Sequence, residues 1–332
     1  MNRNLKILLF LLSLALLVSF ACRPAEKPPS AQGKRLDIAV IPKGMTHEFW
    51  KAIHAGAVKA GRELGVNILW KGPQREDDRA QQITVVEDFI SRGVAGIVLA
   101  PMDDRALCRP VQDAVAENIP VVIIDSGLQG QDHISFVATD NYQGGVLAAR
   151  RMAELLPEGG DIFLIRCQEG SASTMERERG FLETVRRESP GMRFLVQDLY
   201  GGSTTETAYQ LAENLLGRFP DVDGIFCSNE STTFGTLRAV QEAGLAGRVK
   251  FVGFDSSPKL VQALRDGHLH GLVHQDPVKM GYLGVVQVVR HLRGQAIEAR
   301  VDTGVYLITR ENMDEPHIRA LLEPDFSVLV ND

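Results

Sequence analysis

Short apolar runs alternate with longer amphipathic segments from Leu36 almost to the end of the chain, and this alternation restricts the fold more than any other feature. Strand-length runs occupy Ile38 to Ile41, Asn67 to Trp70, Gly96 to Leu99 and Pro120 to Ile124, with helices expected from about Glu48 to Leu64 and Asp78 to Ser91. Ile53, Ala57, Ala60 and Leu64 share one face of the first helix, as do Ile83, Val86, Phe89 and Ile90 in the second. Strands that are apolar throughout, set between such helices, indicate a parallel sheet covered on both faces. The pattern then begins afresh with Asp161 to Ile165, Arg193 to Val196, Gly224 to Cys227 and Val249 to Gly253, separated by helices near Met175 to Glu188, Thr204 to Leu216 and Thr232 to Glu242. Two successive α/β blocks follow, and a chain of 332 residues, 44% hydrophobic and 23% charged, is long enough to give each a core. Ile134 to Asn141, a further strand signal before Gly144-Gly145, reads as the first passage between them.

The N-terminus has a different character. Arg3 and Lys6 precede an apolar stretch from Ile7 to Val18, and Ser19-Phe20-Ala21 ends in a small residue, so residues 1–21 read as a signal peptide for export. Cys22 follows directly, and the stretch from Arg23 to Arg35 is rich in Pro, Lys, Ala and Ser, a composition suited to a tether. The arrangement resembles a bacterial lipoprotein signal, which implies lipidation of Cys22 and a membrane attachment through the lipid alone. Such signals usually carry an aliphatic and then a small residue where this chain has Ser19 and Phe20, and ordinary cleavage after Ala21 is the alternative. A net charge of −6 without a basic block, and no helix-turn-helix segment, argue against nucleic acid as a partner. Cys108, Cys167 and Cys227 are widely spaced and belong to no zinc-like cluster, so neither a metal nor another cofactor is expected; Cys167 and Cys227 end apolar runs and read as buried small hydrophobes.

In open α/β sheets ligands lie beyond the carboxyl ends of the strands. The residues found there include Asp125-Ser126, Ser228-Asn229-Glu230, Asp255-Ser256 and His274-Gln275-Asp276. Each taken singly also suits an Asx-turn or helix N-cap.

The segments HEFW, VVIIDS, VATDNYQGG, RERGF, FCSNE, VGFDSSP and HQDP occur in that order over Leu36 to Thr309, and with them the sequence resembles the type I periplasmic sugar-binding proteins, whose fold is shared by LacI-type effector domains. The resemblance implies an α/β fold of two Rossmann-like lobes with parallel sheets joined by a three-segment hinge. It implies a first lobe of residues 36–138 plus 274–303 and a second of 139–273 plus 304–332, with hinge segments near Ala138 to Asn141, Val273 to Gln275 and Asp302 to Gly304. It further implies that His47, Phe49 and Trp50 line one lobe's side of a sugar. Asp125, Arg177, Asn229, Asp255 and Gln275 would then supply the polar contacts. Those residue types suit the chemistry, because a hydroxyl both donates and accepts, and a carboxylate, amide or guanidinium can engage two neighbours with fixed geometry. Ribose-type members commonly have an arginine after the first carboxylate; here Ser126 stands there, which puts ribose itself in doubt and leaves another pentose, a hexose, a polyol or a deoxy sugar. Trp70 fits either the mouth of a cleft or the edge of the core.

The function implied is capture of a monosaccharide or polyol for an ABC permease. A sugar-loaded partner of a membrane sensor is the alternative on the same fold. An enzyme is the more distant rival, since the chain has no GxGxxG after its first strand, no GxSxG, no P-loop and no HExxH.

Overall fold

The computed structural model describes residues 35–330. The expected signal peptide and Cys22 therefore lie outside the described residues. Strands β1 (Asp37–Ile41), β2 (Asn67–Trp70), β3 (Gly96–Leu99), β4 (Val121–Ile124) and β5 (Ser135–Ala138) alternate with helices α1 (Glu48–Leu64), α2 (Arg79–Ser91) and α3 (Cys108–Ala116). Together with β11 (Arg300–Asp302) these strands make an all-parallel sheet of order β11-β5-β4-β3-β1-β2. All residues of β3 and β4 are buried, as strands covered on both faces require.

The second lobe repeats the plan. It contains α4 (Asn141–Leu155), β6 (Gly160–Ile165), α5 (Ala172–Glu188), β7 (Met192–Val196), α6 (Thr205–Arg218), β8 (Gly224–Cys227), α7 (Glu230–Glu242), β9 (Lys250–Phe254), α8 (Pro258–Arg265) and β10 (Gly271–Gln275). With β12 (Val305–Ile308) its strands run in the order β12-β10-β9-β8-β6-β7, parallel except for β12 against β10. Helix α9 (Pro277–Leu292) returns to the first lobe and packs on α1, and its Val285 and Val288 share a core cluster with Val98 and Ile124.

Two expected boundaries need correction. His274 and Gln275 belong to the second sheet, because β10 keeps its register with β12 as far as the Gln275–Val305 pair; the chain leaves at Asp276, where Pro277 starts α9. Nor does the whole of 304–332 stay with the second lobe. After α10 (Pro316–Leu322), whose Ile318 joins the second-lobe core, the tail comes back to α1: Lys51 Nζ stands 4.2 Å from the Phe326 ring centre, and Arg62 Nη2 donates to the Val328 carbonyl at 2.6 Å. The chain thus passes between the lobes four times, at 139–140, at Asp276, at 303–304 and through the tail. No described helix is long and apolar enough to cross a membrane.

Candidate functional site

Both sheets end on an aspartate held in an unusual backbone conformation. Asp125 follows β4 with φ of 61°, and Asp255 follows β9 with φ of 66°. Left-handed backbone is uncommon outside glycine, although aspartate tolerates it better than most residues. Each is pinned by the neighbouring strand: the Asp125 N–H donates to the Val137 carbonyl at 3.1 Å, and the Asp255 N–H donates to Val273 at 2.7 Å. The same device at equivalent places turns both carboxylates into the space between the lobes.

Arg177 lies between them, and a close helix contact puts it there. A Cβ on Gly145 of α4 would fall 2.0 Å from the Arg177 carbonyl oxygen, and one on Gly180 of α5 would fall 2.2 Å from that of Tyr142. Only glycine at both positions lets α4 and α5 approach so nearly. Arg177 Nε then donates to Asn141 Oδ1 at 2.8 Å and Nη1 to the Ser228 carbonyl at 3.0 Å, with the guanidinium 3.8 Å from the Phe254 ring centre. Its outer edge faces Asp255 Oδ2 at 3.6 Å and Asp125 Oδ1 at 3.9 Å. Its helix neighbours do not claim it: Glu178 pairs with Arg166 and Glu176 with Arg179.

Around this centre lies a small cavity. It is lined by all eight residues expected from the sequence, His47, Phe49, Trp50 and Asp125 from the first lobe and Arg177, Asn229, Asp255 and Gln275 from the second. Phe49 and Trp50 meet edge to face with ring centres 4.9 Å apart. Gln275 Nε2 donates to Asp255 Oδ1 at 2.8 Å, while its buried Oε1 has no partner. An unsatisfied buried acceptor beside a cavity is a place for a ligand hydroxyl to donate. Asn229 is largely committed elsewhere, since its Oδ1 accepts from the Thr232 N–H and completes a capping box at the start of α7.

Lys43, Glu76, Glu230, Ser171 and Ser173 also line the cavity and were not among the expected site residues. Lys43 stands two residues after β1 and was findable by the strand-end rule applied to the first strand. Its Nζ sits 2.8 Å from Asp125 Oδ2 and donates to Ser173 Oγ at 3.0 Å and Ser171 Oγ at 3.3 Å. A cation thus stands beside Asp125 although Ser126 replaces the arginine; Ser126 itself is buried and accepts from the Ser173 N–H at 3.0 Å. Glu76 comes from a loop without periodic signal; it meets His47 Nδ1 at 2.6 Å and accepts from Trp50 Nε1. Trp70 stacks on His54 at the edge of the first-lobe core and is not among the cavity residues.

The charges are finely opposed. Burial alone would lower the pKa of His47, but the charge and hydrogen bond of Glu76, aided by Glu230 and Asp255, raise it to about 9. Burial would raise Glu76, and His47 with Trp50 and Lys43 holds it below its ordinary value. Burial wins at Asp255, which is raised despite Arg177 and Gln275, and at Glu230, which is raised to about 7. The result is a small interior space with acceptors and donors facing each other, built from both lobes. Groups of three or more His, Cys, Asp or Glu able to hold a metal do not occur among the described residues.

A family model described as the periplasmic binding protein domain matches residues 38–296. The chain belongs to that family. Among its relatives, the ribose import binding protein of Salmonella typhimurium is 29% identical over 299 residues, covering 90% of this chain and 98% of that protein. The D-ribose/D-allose-binding protein of Pseudomonas aeruginosa is 29% identical over 284 residues, 82% of this chain and 88% of that one. Among solved structures, a carbohydrate transporter solute-binding protein from Agrobacterium radiobacter, in complex with D-arabinose, superposes with a TM-score of 0.85 at 35% identity, covering 88% of this chain and all of that one. An Agrobacterium vitis solute-binding protein with bound D-fucose gives 0.83 at 34% identity, over 86% of this chain and 100% of that chain. This periplasmic binding protein therefore has the two-lobed fold of ABC sugar-binding components, and its relatives are binding proteins for transport.

Proposed function

We propose that this periplasmic binding protein captures a monosaccharide or related polyol between its two lobes and delivers it to an ABC importer. The observation that carries the reading is the shared cavity, in which Asp125 and Asp255, one from each lobe, face Arg177 while the Phe49 and Trp50 rings supply an apolar wall. A pyranose or furanose has that division of surface, with C–H faces for the rings and hydroxyls at the edge for the charges. The eight residues named above are the proposed ligand set, and Lys43 joins them as the cation beside Asp125.

Ligand that binds only the folded protein raises its unfolding free energy, by about 2.7 kcal/mol at a hundred times Kd. A thermal-shift panel of D-ribose, D-allose, D-arabinose, D-fucose and D-tagatose, followed by calorimetry, is therefore expected to yield at least one saturable ligand. A flat panel extended to the other common pentoses, hexoses and polyols would overturn the reading.

We further propose that the protein works outside the cytoplasmic membrane and is held there by a lipid on Cys22. The support is the signal-like segment before it and the polar Arg23 to Arg35 stretch after it. Cys22→Ser should abolish fatty-acid labelling and move the protein to the soluble fraction; a wild-type protein of mature size without label would contradict the anchor.

A further inference from the structure

Glu230 has contacts that ligand capture does not require. It opens α7 in the second lobe, yet its carboxyl group crosses to the first lobe: Oε1 accepts from the Glu48 N–H at 3.4 Å and Oε2 from the Phe49 N–H at 3.2 Å. These amides belong to the first turn of α1, and His47, at the N-cap position, makes no side-chain bond to them. The first amides of a helix have no partner within it. Here the opposite lobe satisfies two of them, as an N-cap side chain would within one helix. Separation of the lobes would return both amides and the carboxyl group to water.

We propose that Glu230 is a closure latch, a positioning residue that holds α1 of the first lobe against the second and so gives the closed form a stabilising contact of its own. The proposal rests on the reading of this cleft as the capture site. Lys43 makes the reciprocal reach, from the end of β1 to the Ser171 and Ser173 hydroxyls at the start of α5. Contacts that exist without ligand set the resting ratio of closed to open forms, and a ligand that prefers the closed form adds to that ratio.

The latch has a pH dependence that identifies it. His47 and Glu48 face Glu230 from α1 and Asp255 faces it from the end of β9, with Glu76 and Arg177 across the cavity. Burial raises Glu230 to about 7 in the closed form, against the His47 charge and the two amides, whereas a solvated glutamic acid keeps its ordinary value of 4.5. A carboxyl group whose pKa is higher in the closed form takes up a proton on closing. Its contribution is therefore fully present at acid pH and is lost as pH rises through 7. Between pH 6 and pH 8 the closed-to-open ratio falls by about tenfold from Glu230 alone. His47, raised to about 9, stays charged across this window.

Amide hydrogen exchange of the ligand-free protein, read by NMR at Glu48 and Phe49 and corrected for intrinsic rates, tests the latch without any sugar. Failure to find a sugar and failure of the latch are thus separate results. In the wild type both amides should be protected at pH 6 and about tenfold less so at pH 8. Glu230→Ala should leave them unprotected at both values. Glu230→Gln, which is uncharged and keeps one acceptor oxygen, should retain protection at one of the two amides, changing less than twofold between the two values. Should the alanine variant fail to fold, the glutamine variant and the wild type still decide the matter. Unprotected amides in the wild type at pH 6, equal protection in Glu230→Ala, or a glutamine variant with the wild-type pH dependence would each overturn the proposal.

Discussion

At the scale of single residues, the two aspartates and the arginine between them do most to define the cleft. Asp125 and Asp255 are alike in backbone, burial and hydrogen-bond anchor, so a substitution must respect their positive φ. Asp255→Asn removes the charge while keeping a side chain that tolerates left-handed backbone. It is expected to weaken sugar binding by about 1.5 to 3 kcal/mol, ten- to a hundredfold in Kd, with the melting temperature little changed. Arg177→Ala should weaken binding at least as much and also lower the melting temperature. Arg177 is only 2% exposed, and loss of its guanidinium leaves Asn141, the Ser228 carbonyl and two carboxylates short of a partner. Calorimetry beside thermal unfolding checks both; unchanged affinity in Asp255→Asn would assign that carboxylate to structure alone.

At the scale of elements, the legible parts were those with a local cause. Strands β3 and β4 announce themselves as continuous apolar runs, and α1 by the spacing of Ile53, Ala57 and Ala60, all wholly buried. The site residues at strand ends were legible because a parallel sheet fixes where its strands stop. What escaped depends on contacts between distant segments. Glu76 stands in a loop whose course is set by His47 and Trp50, and nothing in its neighbours marks it. Glu230 was visible as the residue after Asn229, but its reach to α1 exists only once two lobes meet. Asn229 satisfied two patterns at once, strand-end ligand and N-cap, and geometry committed its oxygen to the cap. The return of the tail to α1 rests on Phe326 and the Val328 carbonyl, features that carry no periodicity.

At the scale of the whole molecule, neither lobe alone encloses the cavity. The first lobe brings Lys43, His47, Phe49, Trp50, Glu76 and Asp125; the second brings Arg177, Glu230, Asp255 and Gln275. We infer that closure pivots on the passages at 139–140, Asp276 and 303–304, each lobe moving as a body, with the tail on α1 as a further tie. A second cavity, which shares Phe49 and Asp255 with the first, lies under Leu321, Leu322, Pro324 and Phe326 of that tail. A co-crystal structure with whichever sugar gives the strongest thermal shift tests capture between the lobes most directly. The sugar is predicted between Phe49 and Arg177, within hydrogen-bond distance of both Asp125 and Asp255; density on one lobe only, or beneath the tail, would contradict it.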